Sequence, residues 1–369
     1  MKKSLTVLSV ISALVLTIVS CKNKEESKLI DTSVQNSNTT KGDSLTHFNS
    51  PATPLINVLE QPSTENLTGI YQSTDGAYHL VYNLEKGKTY NFNIREVNTQ
   101  TQTLSASGKD ENGEKKTVNE TSKPLVQESI EPLSFTVSDF TDGVYTLQVK
   151  MGGRKLIMKA DGKQQTILDT NGKQPTNPEQ ARLWKMYKAI SELSFIIKMN
   201  VNGSILQVSG FESIYDKAKN AVKNDLKGKE LTEFINDFKK GVNENVFKAQ
   251  FENSLMKFPS EGIKVGGKWN NDPAMKGKGY NQLVSVDANT AVVKLFADIP
   301  SQSQSDKKDG VSLKASLTGS QSGKIILDIK SGWVSKGTLT TSVTESQTAS
   351  KDGDYQKMTN KVVTNIYIN

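Results

Sequence analysis

The sequence predicts an α+β protein, mainly antiparallel β-sheet, with two strand-rich halves and a helical segment between them. Three observations point there. Runs such as "KTYNFNIREV" and "TAVVKLFADI" alternate apolar with polar residues, the period of a half-buried strand. Asp-Gly and Asn-Gly pairs recur between such runs, and glycine supplies the positive φ that a tight hairpin demands. Apolar stripes at helical spacing are confined to residues 177–258.

The N-terminus comes first. Lys2 and Lys3 precede an apolar-to-small stretch from Leu5 to Val19, the layout of a signal peptide over residues 1–20. A buried element is the alternative, but the polar residues that follow offer it nothing to pack against. Ile18-Val19-Ser20-Cys21 resembles the lipobox of bacterial lipoproteins, and Cys21 is the only cysteine in the chain. The resemblance implies a diacylglyceryl thioether on Cys21, cleavage before it, and acyl chains of the palmitate class holding the protein to the outer membrane. Each buried methylene contributes about 0.8 kcal/mol, so two or three chains hold durably where one holds marginally. Lys24, Glu25 and Glu26 resemble the surface-export signal of some Gram-negative lipoproteins, which would turn the body outward. A solvated tether accounts for the three residues equally well. Residues 21–66 are Ser/Thr/Asn-rich without apolar period and are expected to form a flexible tether, with "PLINVLEQP" as its one apolar interruption.

In the first strand-rich half, residues 67–176, the runs are "AYHLVYNL", "KTYNFNIREV", "TQTLSAS" and "LSFTVSDFTDGVYTLQVKM". The last contains a hairpin turn at Asp142-Gly143. Residues 177–258 open with Asn177 before Pro178, a helix start. One stripe is Leu183, Tyr187, Ile190 and Leu193; after the hairpin "SFIIKMNVNGSILQVSG", others run through Phe211, Ile214 and Ala218, then Leu231, Ile235 and Phe238, then Phe247, Phe251, Leu255 and Phe258. Residues 259–369 return to strands, from "YNQLVSV" to "KVVTNIYI", with turns at Asp309-Gly310, Ser331-Gly332 and Asp352-Gly353. Gly87-Lys88-Thr89-Tyr90 is echoed by Gly266-Gly267-Lys268-Trp269, which would suit a duplicated, curved sheet with helices on its concave face.

Three segments, "YNLEKGKTY", "VNGSILQVSGFESIYDKAK" and "FPSEGIKVGGKW", occur in an order that resembles an uncharacterised family of Gram-negative envelope lipoproteins. The resemblance spans most of residues 78–369. It implies an exported, lipidated, sheet-and-helix body, with no assigned activity.

Composition narrows the function classes. At 35% apolar and 23% charged residues, the chain has enough apolar content for globular cores. The net charge of +7 falls to +5 once residues 1–20 are removed, and it is carried by lysine: Arg95, Arg154 and Arg182 are the only arginines. Nucleic-acid sites favour arginine forks and interleaved aromatics, so no nucleic-acid partner is expected. The lysine excess suits contact with anionic lipid or polysaccharide, and a lysine-rich coding bias accounts for it as well.

Catalytic groups are scarce. Histidine is limited to His47, in the tether, and His79, in an alternating strand where a structural role is expected. No metal-ligand spacing, phosphate-binding glycine loop or nucleophile elbow is present, so neither a cofactor nor an enzyme is expected. The sequence leaves a non-catalytic binding or structural protein of the envelope, with an envelope protein as partner. One alternative is a carrier of lipid or another apolar ligand, in a cavity lined by Trp184, Phe195, Phe211 or Trp269. The other is a hydrolase of envelope carbohydrate working through two carboxylates.

Overall fold

The computed structural model describes residues 68–109, 114–191, 193–271, 278–308 and 310–369. A small hairpin comes first, β1 (Ile70–Gln72) and β2 (Tyr78–Leu80). It is followed by β3 (Thr89–Lys109), β4 (Lys115–Thr121), β5 (Leu125–Thr141), β6 (Val144–Met151), β7 (Lys155–Ala160) and β8 (Lys163–Asp169). The middle of the chain holds α1 (Pro178–Ile190), the hairpin β9 (Ser194–Asn200) and β10 (Ile205–Ser209), then α2 (Glu212–Val222), α3 (Gly228–Gly241) and α4 (Glu244–Ser254). Last come β11 (Lys268–Asn271), β12 (Lys278–Val286), β13 (Thr290–Lys308), β14 (Val311–Asp328), β15 (Val334–Lys351) and β16 (Asp354–Ile368).

The two strand-rich halves form a single antiparallel sheet of fourteen strands, whose main path is β10-β9-β6-β5-β3-β16-β15-β14-β13-β12-β11. The halves join where β3 pairs with the C-terminal β16, from Ile94↔Ile368 to Ser107↔Tyr355. β4 prolongs the line of β5 beside the distal part of β3, and β7 prolongs the line of β6 beside β5. β8 pairs with β7.

Among the described residues, helices cover only one end of this sheet. Along β3, burial alternates strictly from Thr89 to Glu96, with Tyr90, Phe92, Ile94 and Glu96 turned inward, and then fades. β14 shows the same division in reverse: Ile325 and Leu327 are buried, whereas Ser312 to Ala315 are exposed. The helices lie on the covered end. Met186 and Ile190 of α1, Ile214 and Ala218 of α2, Phe238 of α3 and Phe251 of α4 share one apolar core with Phe135, Leu147, Val149, Ile197 and Val293 of the sheet. Each such side chain stabilises the fold by roughly 1.5–3 kcal/mol when fully buried. Asn177 caps α1 as its sequence position implies, accepting hydrogen bonds from the backbone of Glu179 and Gln180. Three stripe residues, Phe211, Leu255 and Phe258, are buried just beyond the ends of their helices, so side-chain spacing over-reads helix length by up to one turn.

Residues 81–84 cross the mouth of the core and tie its parts together. The backbone N–H of Tyr82 donates to Val201, at the β9–β10 turn, while Asn83 donates to Ser331, at the β14–β15 turn. The Tyr82 hydroxyl donates to the carbonyl of Met256 at 3.0 Å, and its own carbonyl accepts from the Tyr145 hydroxyl at 3.0 Å. Trp333 sits beneath, its ring 4.8 Å from Phe92, 5.1 Å from Tyr90 and 5.2 Å from Phe135. Both flanking turns need glycine. Gly332 has φ +67, and a Cβ there would lie 2.2 Å from the carbonyl oxygen of Val81.

Gly87 separates the two reasons for glycine, because its φ is +82 but nothing lies within 4 Å of a Cβ. Gly87→Ala is expected to cost about 1 kcal/mol in urea unfolding, the left-handed penalty alone. Gly332→Ala should cost roughly 3 kcal/mol, because the clash adds to that penalty. Equal losses for the two variants would show that the Val81 contact is not rigid.

Candidate functional site

Cys21, Lys24, Glu25, Glu26, His47 and the whole tether lie outside the described residues. His79 lies in the β1–β2 hairpin, stacked on Tyr71 with ring centroids 5.1 Å apart and planes within 11°. A Cβ on Gly262 would approach its Nε2 to 2.9 Å, so the ring is packed against backbone. Among the described residues no group of three or more His, Cys, Asp or Glu side chains could hold a metal.

The four aromatics expected around a cavity pack against protein instead. Phe195 and Phe211 stack at 5.1 Å, and Phe247 stands 5.1 Å from each. The indole N–H of Trp184 donates to Asp169, and that of Trp269 to Lys257. A surface depression of about 280 Å³ lies between Lys123, Pro124, Lys159 and Asp161, and one of about 270 Å³ by Val311, Lys351 and Tyr355.

Charge is concentrated where the covered end of the sheet gives way to the open end, and two of the chain's three arginines are placed there. Arg154 follows Gly152-Gly153 in the break between β6 and β7. A Cβ on Gly152 would meet Pro132 at 2.5 Å and one on Gly153 would meet Asn171 at 2.2 Å, so only glycine lets the chain pass here. Thr170 fixes the Arg154 backbone: its hydroxyl accepts from the Arg154 N–H at 2.8 Å, and its own N–H donates to the Arg154 carbonyl at 3.0 Å. Arg154 as a whole is 4% exposed. Its guanidinium lies 5.2 Å over the ring of Tyr187 from α1, with Nη2 3.6 Å from a carboxylate oxygen of Glu131. Its Nε and Nη1 have no hydrogen-bond partner among the described residues.

Glu131 opposes Ile94, and Glu96 opposes Ser129 across the β3–β5 pair. The two carboxylates are thus diagonal neighbours on the core side, with backbones about 7–8 Å apart. Neither surface depression is lined by Glu96, Glu131 or Arg154. What the cluster does chemically is hold charge at the edge of an apolar core. Arginine suits that task because its delocalised cation stays ionised where lysine would neutralise.

On the opposite face of the same strands, Arg95 Nε donates to Glu128 at 2.7 Å and Lys159 Nζ donates to its other oxygen at 3.1 Å. The Arg95 guanidinium also lies 5.3 Å over Tyr367. The Arg95 hydrogen bond, helped by Lys159 and opposed by burial, holds the Glu128 carboxyl below its usual range.

With this geometry the molecule is an α+β protein built on one open antiparallel sheet with a helical cover at one end. Residues 142–334, more than half of the chain, match a family described as "Family of unknown function (DUF6263)", and the chain belongs to that family. No curated protein matches it in sequence. Likeness to solved structures is slight. An outer membrane channel from Pseudomonas putida F1 is 9% identical, with 78% of this chain and 97% of that chain covered and a TM-score of 0.15. A triple mutant of the Rhodopseudomonas blastica porin is 9% identical over 76% of this chain and 100% of that chain, at 0.13. A loop-deletion mutant of OmpT, an outer membrane protein of Vibrio cholerae, is 8% identical over 77% and 100%, at 0.14. TM-scores of this size carry no statement about shared fold or activity.

Two outcomes test the charge clusters. Because folding depresses the Glu128 pKa, its stabilisation is present above the unfolded value of about 4.3 and is lost as pH falls through the folded value. The stability gap between wild type and Glu128→Gln should therefore be widest near neutral pH and should close below about pH 4 in a urea-midpoint series. Arg95 is 44% exposed, so screening keeps the gap modest. Arg154→Met should cost less than the about 3–5 kcal/mol of a fully buried pair, because the Glu131 carboxylate it leaves behind is only partly buried, and adding Glu131→Gln should recover part of that loss. No recovery in the double variant would separate Arg154 from Glu131 energetically.

Proposed function

We propose that this chain is an exported lipoprotein tethered to the outer membrane through Cys21, with a body that serves as a non-catalytic binding or structural unit. The tether rests on the N-terminal sequence: the basic start, the short apolar stretch and the Ile18-Val19-Ser20-Cys21 motif. The reading of the body rests on one observation. Beyond the core, β4, β3, β16, β15, β14 and β13 continue as a slab six strands wide, with no helix over it among the described residues. A stable core does not need strands of 15 to 21 residues such as β3, β13, β14, β15 and β16. The excess length is surface, and surface without a catalytic cleft suits contact with another molecule. The solid aromatic packing of Phe195, Phe211, Phe247 and Phe251 favours contact at this surface over carriage of a lipid inside the body.

The test follows the anchor. Cells grown with a clickable palmitate analogue should label the wild-type protein and not Cys21→Ala, which should instead be recovered in soluble fractions. Added protease should cleave the wild type on intact cells if the body faces outward. Equal labelling of both proteins, or a mature chain starting elsewhere than Cys21, would remove the lipoprotein reading.

A further inference from the structure

The two faces of the open slab differ in charge. On the face turned away from the core side, every alternate position of β15 from Thr338 to Ser350 is Ser or Thr. The pairing register sets Lys314 of β14, Thr348 of β15, Lys357 of β16 and Ser105 of β3 in one row across that face. Beyond the row of Ser320, Ser342 and Thr99, the charged strand residues on this side are Lys109, Lys115, Lys307, Lys314, Lys357 and Lys361, all exposed. None of the six pairs with a carboxylate among the described residues. The acids of the slab stand elsewhere. Glu120, Asp306, Glu345 and Asp354 are on the reverse face, Asp352 is in a hairpin turn, and Asp298 lies at the lower margin opposite Ser320.

Such segregation has a stability cost, since like charges on neighbouring strands repel. An anion laid over the face would offset that cost. The lattice fits a polyhydroxylated one: strands about 4.8 Å apart and alternate residues about 6.7 Å apart present rows of hydroxyl donors and acceptors between the lysines. Cross-strand hydroxyl contacts fix them, such as Thr103 with Thr121 at 3.0 Å, Ser105 with Asn119 at 2.9 Å and Ser346 with Thr359 at 3.2 Å. The composition argues against other partners. Protein interfaces are depleted in Lys and Ser and enriched in aromatics, the reverse of this face. Single-stranded nucleic acid needs stacking platforms, and Tyr355 is the one aromatic here. A bilayer surface is gripped best when apolar side chains insert beside the cations, and Tyr355 alone on this face could do so.

We propose that this face binds an acidic polysaccharide, a chain of carboxylated sugars lying across β3, β16, β15 and β14. Lysines supply the charge and Ser/Thr hydroxyls the hydrogen bonds. The proposal goes beyond the anchor and does not depend on it, so it is tested with purified protein whatever the state of Cys21. In affinity electrophoresis of the full chain, polygalacturonate in the gel should retard migration and neutral dextran should not. The triple variant Lys314→Gln, Lys357→Gln, Lys361→Gln should weaken retention roughly tenfold, the scale of surface-field effects. Retention should also fall as salt rises from about 0.05 to 0.5 M. A control removing equal charge, Lys217→Gln, Lys219→Gln, Lys227→Gln, should change little. If the first triple fails to fold, the single variants Lys314→Gln and Lys357→Gln carry the comparison. The proposal is overturned by no retention of wild type, by equal loss in both triples, or by binding to phosphatidylglycerol vesicles without binding to polygalacturonate.

Discussion

Register is the constraint on which this molecule depends. A one-residue slip of a strand moves its whole side-chain set to the other face, and only a buried face makes that slip costly. In the open half of the sheet both faces are mostly polar and burial is confined to a few residues such as Val343 and Asn360, so little that is local distinguishes one register from the next. The pairing there is inherited. Phe92, Phe135, Ile325, Leu327, Ile366 and Ile368 lock the covered half to the helices, and the same strands carry that register outward. At the far end the two-residue turn between Lys351 and Asp354 fixes it again, with Asp352 at φ 51 and Gly353 at φ 87 matching the twist of paired strands. Cores at one end and tight turns at the other hold a polar span between two fixed points.

The transition between dry and wet sheet is managed by charge. Glu96 continues the inward-facing series of Tyr90, Phe92 and Ile94, so pleat geometry forces a carboxylate toward the core boundary. Arg154 arrives from the β6–β7 break to meet it and Glu131, while Tyr187 of α1 covers the guanidinium. Charge placed at the rim of the core marks where the apolar layer of the covered end stops. The Arg95–Glu128–Lys159 group marks the same level on the other face. Both groups sit where β5 changes partners, pairing with β7 below Lys159 and with β6 from Leu133 onward.

What the sequence made legible follows from the same physics. The hairpin turns at Asp142-Gly143 and Asp352-Gly353, the Asn177 cap and the four apolar stripes are local signals, and each sits where its chemistry requires. Alternation marked the strands only where one face is buried. "TQTLSAS" and "KTYNFNIREV" read as separate runs but are one strand, β3; "VSLKASLTG" and "KIILDI" are likewise both β14. With both faces in water, Ser, Thr and Gln replace the apolar-polar period and the signal disappears. β4 and β7 were missed for related reasons: β4 is exposed throughout, and β7 is the continuation of another strand's line. The Arg154 cluster was half visible. Three arginines in a lysine-rich chain, one directly after Gly-Gly, were the available signal; its partners come from strands far apart in sequence and emerge only from the register.

A slab with open faces also has open edges, and edges are templates for unwanted pairing. β4 forms one edge, and β13 beyond Asp298 forms the other among the described residues. Both are built to resist addition of a further strand. β4, "KKTVNET", is short and exposed throughout, with lysines at its start and a single large apolar residue, Val118. β13 carries Pro300, which lacks an N–H to donate, inside a register shift between Ile299 and Gln302, and then runs on as Ser, Gln, Asp and Lys. A chain concentrated on a membrane, as proposed here, meets copies of itself far more often than one in free solution, so edge protection matters more for it. The polar character of the open half therefore answers two demands: it keeps the edges from pairing with one another and leaves the lysine-bearing face free for a partner that pairs through charge and hydroxyls rather than through backbone.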